Sequence, residues 1–593
     1  MTDPRAEYHR RISRWNEALA RGEREHLRIS NLRLALAAVA AALAWLAFVR
    51  NAVSPAWLIA CLIAFVGLMV AHARVLQRNE RAARAKRMHE RGLDRIDGRW
   101  AGTGPDGARF REGHAYARDL DLFGEASLFQ LVDTARTEAG EETLADWLRN
   151  PATVDEIRNR QTAVEELRVK VDFREDLGVL AAEAHVGRTG VVVEWASARP
   201  AGLPRTVGVL FAVSAVVTVV LMGLGFAGRL SGAWPAAWLC VQIALALYWR
   251  RQVHTVLDRI EGPAYDLGLL MELVARIERE PAASPRLAAI NALLVRDGAP
   301  PSASIARLRR YVSALDSTEN QLFKPVAAFL LVKSQAAVAI DRWHAEHRVS
   351  LLGWLRAVGE LEALSSLATH AFEHPDDRFP ELIEAGPRLE ATGLAHPLIV
   401  ESAAVRNDVA LGGDAPHVMV VSGSNMSGKS TLLRAVGVNV VLALAGGVVR
   451  AQRLSVSPLA IGATLRVEDS LQSGHSRFYA EILRIRTIVE TTKGPLPLLF
   501  LLDEILHGTN SHDRRIGAQA IVRALVEAGA IGLVTTHDLA LTELVPTLGP
   551  LAANVHFEDR LEDGRMVFDY RMRQGIVEHS NALDLMRAIG LDV

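Results

Sequence analysis

Gly423, Ser424, Asn425, Met426, Ser427, Gly428, Lys429 and Ser430 together spell G-x-x-x-x-G-K-[ST], and Thr431 follows. Few folds accommodate that run. Its glycines let the backbone curl tightly enough to aim successive N–H groups at phosphate oxygens. Lys429 is then placed to reach the β and γ phosphates, and the Ser430 hydroxyl to ligate Mg²⁺. The flanks agree. His417–Ser422 is an apolar run that reads as a buried parallel strand. Residues 429–444 read as a helix whose N-terminus faces the phosphates. An α/β domain of strand–loop–helix units that binds a nucleotide with Mg²⁺ is therefore expected.

Further pieces follow in a workable order. Residues 496–504 form a second buried strand ending in Asp503 and Glu504. Asp503 suits the Mg²⁺ shell, and Glu504 is placed to orient or deprotonate the attacking water. A plain strand-end acid pair is the alternative. Residues 531–538 make a third strand-like run ending in His537 and Asp538, and His537 is a candidate γ-phosphate sensor or a solvated loop residue. Residues 473–481 carry small polar groups before a helix, where Ser476 reads either as an N-cap or as an anion contact.

These residues resemble the MutS family of mismatch-repair ATPases, relatives of the ABC ATPases. The loop is close to the family's G-P-N-M-G-G-K-S-T, with Asn425 and Met426 the telling residues. Asp503-Glu504 followed by Gly508-Thr509-Asn510 and Asp513 looks like its D-E-x-x-x-G-T-S-x-x-D. Thr536-His537 looks like its T-H switch, and Ser476, Phe478 and Glu481 match S-T-F-x-x-E. His396-Pro397 and Asn407-Asp408 resemble the start of its ATPase domain. Ser127–Thr134, Gly140, Trp147–Pro151, Arg160-Gln161 and Val358–Leu364 resemble pieces of its helical core. The resemblance implies composite ATP sites in a homodimer of ATPase domains, with Ser476 contacting the partner's γ-phosphate. It also implies DNA as a partner. Departures are Ser424 for proline, Ser427 for glycine, Arg477 for threonine and His507 near a usual arginine. A mismatch-reading domain and a C-terminal bracing segment are not expected here. The connection between core helices near residues 340–360 is expected to be too short for a DNA clamp.

Half the composition is apolar, and the net charge of −1 gives no global pull toward nucleic acid. Four apolar segments stand out: 32–49, 52–73, 206–228 and a weaker 230–249 containing Pro235 and Gln242. Such lengths suit bilayer-spanning helices; buried core hairpins are the alternative. Eight arginines lie between Arg5 and Arg33, seven Lys or Arg lie within 74–91, and Arg50 alone occupies the first turn. Arg199, Arg205, Arg250 and Arg251 flank the second pair, with Arg229 alone in its turn. By the positive-inside rule both hairpins then begin and end in the cytoplasm, where ATP is. The Arg-rich stretch 74–95 suits anionic lipid head groups, with nucleic acid as the alternative. Cys61 and Cys240 fall in apolar segments, and the histidines suggest no metal-ligand cluster.

The expected architecture is an α/β P-loop ATPase domain (MutS/ABC-like) C-terminal to an all-α MutS-like core, with two transmembrane helical hairpins. Residues 1–117 hold a basic segment, a hairpin at about 32–73 and a basic linker. Residues 118–377 form the core, interrupted by a second hairpin at about 206–249. Residues 378–593 form the ATPase. The expected location is the inner membrane, multi-pass, with the ATPase domain cytoplasmic. Two functions remain open: a membrane-tethered DNA-repair ATPase, or an ATP-driven membrane switch acting on a protein or lipid partner.

Overall fold

The computed structural model describes residues 3–183, 189–294, 300–318, 324–424, 426–466, 477–506, 510–537, 541–562 and 565–577. It divides into two compact units interleaved along the chain. One comprises Met1–Asp133, Trp147–Val171 and Leu367–Val593; the other comprises Thr134–Asp146 and Asp172–Ser366.

The first unit holds the ten strands found among the described residues: β1 (Glu381–Leu382), β2 (Arg388–Leu394), β3 (Asn407–Gly412), β4 (Val418–Ser422), β5 (Arg453–Val456), β6 (Ala460–Thr464), β7 (Leu498–Asp503), β8 (Ile531–Thr536), β9 (Ala552–Glu562) and β10 (Arg565–Gln574). A four-stranded sheet runs β1-β5-β2-β3, and a six-stranded sheet runs β10-β9-β4-β8-β7-β6. In the larger sheet only the β10–β9 pair is antiparallel. Strands β4 and β8 are buried throughout and β7 is buried up to Asp503, which explains their nearly unbroken apolar sequence. Val420, Phe500, Leu502 and Val534 pack with Val522 and Leu525 of the helix Ser511–Glu527 into one core.

Register determines what meets at the edge of this sheet. Ser422 lies opposite Thr536, and Asp503 opposite Thr535. Three distant motifs therefore end at one crevice outside the carboxyl ends of parallel strands, where ligands bind in open sheets.

The same unit begins with an antiparallel hairpin of two long helices, Pro4–Phe48 and Ala56–Ile96. At 1.5 Å per residue, 45 residues reach about 67 Å. The apolar windows of the two helices are 6% and 0% buried. Their bases, by contrast, dock closely. Tyr8 packs on His89 and Phe372, and its hydroxyl donates to Glu373 Oε1 at 2.9 Å. Arg95 clasps the Glu373 carboxylate with Nε at 2.7 Å and Nη2 at 2.6 Å. The hairpin is thus a stalk, fixed at its basic end and bare at its apolar end.

The second unit is helical among its described residues. Its own apolar hairpin comprises Arg205–Phe226 and the 16-residue Ala233–Tyr248. Asp341 accepts hydrogen bonds from Ala201 N (2.6 Å) and Leu203 N (2.8 Å), which clamps the approach to that hairpin. Inside it, Thr218 Oγ donates to Gln242 Oε1 at 3.0 Å, and Gln242 Nε2 donates to the Phe329 carbonyl at 2.9 Å. The polar Gln242 that weakens this segment as an apolar run therefore has hydrogen-bond partners at both ends of its amide. Among the described residues, three helices are long and apolar enough to cross a membrane: Pro4–Phe48, Ala56–Ile96 and Arg205–Phe226.

Two expectations are corrected. Val332–Glu373 is one continuous helix, so the connection expected near residues 340–360 is absent. Its run of good helix formers with no proline gives no place for a break. The last turn of that helix also brings His370 and His374 beside Asp377, a grouping of potential metal ligands that the sequence reading did not expect.

Glu362 on this helix is buried and accepts hydrogen bonds from Thr137 Oγ and from Arg136 N (3.1 Å). Burial pushes its carboxyl up to about 7, against the opposing pull of those hydrogen bonds. Below the unfolded value near 4.5 both states hold the proton; between 4.5 and about 7 only the folded state does. Stability is therefore lost as pH rises through that window, by on the order of 3 kcal/mol. Hydrogen exchange around Thr137 and the start of the helix Glu138–Arg149, corrected for intrinsic rates, should show protection falling from pH 5 to 8. Glu362→Gln should flatten that slope; equal slopes in both proteins would refute the assignment.

Candidate functional site

The phosphate loop joins β4 to the helix Lys429–Ala445. Gly423 has φ +148° and Gly428 +105°, and a Cβ on Gly428 would stand 3.1 Å from the Tyr570 ring. Only glycine adopts the left-handed turn at Gly428 without strain. The free N–H groups and dipole of the helix that follows point into the crevice. Met426 also has positive φ, at +68°.

Lys429 is buried, and its Nζ donates to the carbonyls of Gly423 (2.9 Å) and Ser424 (2.8 Å). Nζ lies 3.6 Å from Glu504 Oε1, and His537 Nδ1 lies 3.3 Å from the same oxygen. Burial pulls the Lys429 ammonium below its ordinary value, while Glu504 and Asp503 oppose that shift. Glu504 sits just past β7 with φ +45°, a strained conformation for a non-glycine residue. Its backbone N–H donates to Thr535 Oγ at 3.0 Å, and the same hydroxyl donates to Asp503 Oδ1. Thr535 thus fixes both acids by bridging β8 to the end of β7. Strain of this kind is held by surrounding contacts and gathers at functional sites.

A cavity of about 470 Å³ opens over the loop, lined by Lys429, Ser430, Glu504, His396, Asn407 and Tyr570 among others. The donor set fits a nucleoside triphosphate with Mg²⁺: a glycine cradle, a buried cation, a hydroxyl at Ser430 and a carboxylate at Asp503. The side-chain oxygens of Ser424 and Ser427 are buried without a hydrogen-bond partner among the described residues, which leaves polar groups beside the loop for a ligand to engage.

Gly423, Ser424, Met426, Ser427, Gly428, Lys429, Ser430, Thr431, Asp503, Glu504 and His537 thus lie at or beside one crevice. Asn425, Ser476, His507, Gly508, Thr509 and Asp538 lie outside the described residues. Glu481 is buried on the helix Arg477–Thr491 and accepts a hydrogen bond from Leu506 N, tying that helix to the turn after Glu504.

Sequence reasoning missed Tyr570. The β9–β10 register shifts between Phe568 and Met572, and Tyr570 at this bulge has φ +54°. Asn407 braces the bulge: its Nδ2 donates to the Tyr570 carbonyl (3.0 Å), and its Oδ1 accepts from Met572 N (2.7 Å). Bulges re-aim side chains beside active sites, and here an aromatic ring is brought against Gly428. An aromatic in an alternating strand gives no signal of this. Burial also depresses His396 to about 4, with Arg434 and Arg450 adding to the effect, so this lining imidazole is neutral at pH 7.

Residues 419–592 match the family described as MutS domain V. The chain is 30% identical over 286 residues to the DNA mismatch repair protein MutS of Brevibacillus brevis, covering 47% of this chain and 32% of that protein. It is 36% identical over 269 residues to the MutS of Natronomonas pharaonis, covering 44% and 29%. It is 33% identical over 214 residues to the endonuclease MutS2 of Thermus thermophilus, covering 35% and 27%. The chain therefore spans about a third of the length of these curated relatives.

Proposed function

We propose, for a chain whose nucleotide-binding domain belongs to the MutS family, that it is an ATP-hydrolysing conformational switch anchored in a membrane by its apolar hairpins. The observation that carries the ATPase reading is the meeting of Lys429, Glu504 and His537 beside a glycine cradle at the strand ends. In this reading the loop N–H groups and Lys429 hold the phosphates, and Mg²⁺ held by Ser430 and Asp503 would neutralise phosphate charge. Glu504 accepts the water's proton, His537 orients Glu504 and senses the γ-phosphate, and Tyr570 offers a face for the base. Ser476 completes the site of a second copy, so the working form is a homodimer.

The stalk supports the membrane part of the reading. Apolar side chains such as Leu34, Ile63 and Phe48 are 67–71% exposed on its distal half, and an apolar surface of that kind is covered by lipid or by a partner. The basic flanks then lie at the cytoplasmic face of the inner membrane. A DNA-repair role is the second reading, favoured by the names of the mismatch-repair relatives.

One experiment separates them. The full-length protein is reconstituted into vesicles of anionic and zwitterionic lipid, washed in alkaline carbonate, and assayed for ATP turnover. Matched and mismatched duplexes are added at low and moderate salt, since phosphate contacts weaken with salt. Retention after the wash with turnover indifferent to DNA is expected. Loss of the protein in the wash would overturn the anchor. Mismatch-selective stimulation that survives moderate salt would replace the switch by the repair reading.

A further inference from the structure

About 50 residues of chain before the phosphate loop, the end of the helix Val332–Glu373 places His370 and His374 one turn apart, with Asp377 just beyond. One potential ligand atom from each lies within 4.8 Å of the others. His370 and Asp377 are 2% and 4% exposed. Both ring nitrogens of His370 and the Oδ2 of Asp377 are buried without a hydrogen-bond partner among the described residues. Buried polar atoms of this kind are rare and call for an explanation.

His374 supplies a second, independent indication. Its Nδ1 lies 3.0 Å from the His370 carbonyl, and donation there fixes the tautomer that leaves Nε2 as a lone-pair donor. Metal-ligating histidines characteristically donate their other N–H in this way. Around a tetrahedral zinc with bonds of about 2.0–2.2 Å, donors stand roughly 3.3–3.6 Å apart. Rotations that draw the three groups together by about 1 Å therefore complete the geometry.

We propose that His370, His374 and Asp377 form a site for a divalent transition-metal ion of the zinc class. Its fourth position opens into an adjacent cavity of about 170 Å³ that His374 and Asp377 line. Three protein ligands with one open position is the pattern of accessible zinc sites, and imidazole with carboxylate suits zinc or cobalt. The local charge permits a dication. Glu373, Asp376, Asp377 and Glu401 line the cavity with Arg95 and Arg450, four acidic groups to two basic ones.

The site is distinct from the nucleotide crevice and goes beyond the proposed function. Residue Arg378, next to Asp377, exchanges backbone hydrogen bonds with Val449, shortly after the phosphate-loop helix. A bound ion would tie the end of the long helix to the first residues leading into the nucleotide-binding domain.

The test uses full-length protein in detergent, purified on a non-histidine tag, stripped with EDTA and dialysed. Co²⁺ alone is titrated while visible absorption is recorded, and Zn²⁺ is then used in competition. The wild type should bind one Co²⁺ per chain with the intense bands of near-tetrahedral coordination, displaced by Zn²⁺. His374→Ala and Asp377→Asn should each weaken binding by more than about 100-fold, beyond the 10–100-fold typical of outer-shell changes. His254→Ala, an exposed histidine elsewhere, should bind as the wild type does. His374 is only partly buried, so its variant should melt at the temperature of metal-free wild type. Absence of Co²⁺ binding to the wild type, or equal binding by wild type, His374→Ala and Asp377→Asn, would overturn the proposal.

Discussion

Glu504→Gln should bind ATP as the wild type does and hydrolyse it about 10²- to 10⁴-fold more slowly, the usual contribution of a positioned general base. The amide keeps the shape of the side chain and its approach to Lys429 and His537, but has no lone pair basic enough to take a proton. Because the backbone at Glu504 is strained at φ +45° and held by Thr535, the substitution changes chemistry without relieving the strain. With turnover stalled, ATP should accumulate a dimer of ATPase domains, read by light scattering of the detergent-solubilised protein. Adding Ser476→Arg to the same variant should abolish that ATP-dependent dimer. Wild-type turnover in Glu504→Gln would remove Glu504 from the mechanism, and a dimer indifferent to Ser476→Arg would remove the shared site.

Glu373→Ala should destabilise the first unit by about 3–5 kcal/mol, the range for breaking a buried ion pair from one side. The Glu373 side chain is 0% exposed and that of Arg95 10%, so the variant leaves a guanidinium desolvated without its counter-charge. Tyr8 also loses its acceptor. The stalk should then detach at its base, and trypsin should cut its Arg-rich segment 74–95 far faster than in the wild type. Replacing the group together, as Glu373→Leu with Arg95→Met and Tyr8→Phe, should recover most of the loss, because no polar group is then stranded. Unchanged melting and proteolysis in Glu373→Ala would show that the stalk is held elsewhere.

The strands and helix of the nucleotide crevice were legible because local signals there agree. Val418–Ser422, Leu498–Asp503 and Ile531–Thr536 are strands because both faces of a parallel sheet are buried, and each ends in the polar residue that the sheet delivers to its edge. The apolar hairpins were legible as helices from their length. Their continuation into a docked stalk was not, because Glu373 lies 365 residues from Tyr8 and 278 from Arg95, and only Arg95 lies in a recognisable charge pattern. The break expected near 340–360 came from the resemblance, and the uninterrupted helix overrides it.

What the sequence determined by itself is the chemistry that can be written in consecutive residues: the glycine spacing of a phosphate loop, an acid pair at a strand end, apolar stretches of bilayer length. Each depends on backbone geometry or burial within a dozen residues. What only the tertiary structure decided is which distant groups share a volume. Tyr570 reaches Gly428 through a bulge braced by Asn407. His370, His374 and Asp377 converge because a helix ends there and a turn follows, in which Asp377 N donates to the His374 carbonyl at 3.2 Å. The i, i+4 spacing of the two histidines was visible in the sequence, but on a helix surface that spacing is common. It becomes a candidate site only when folding buries His370 and leaves both of its ring nitrogens without a hydrogen-bond partner among the described residues, since an unsatisfied buried donor or acceptor costs free energy that a bound ion would offset.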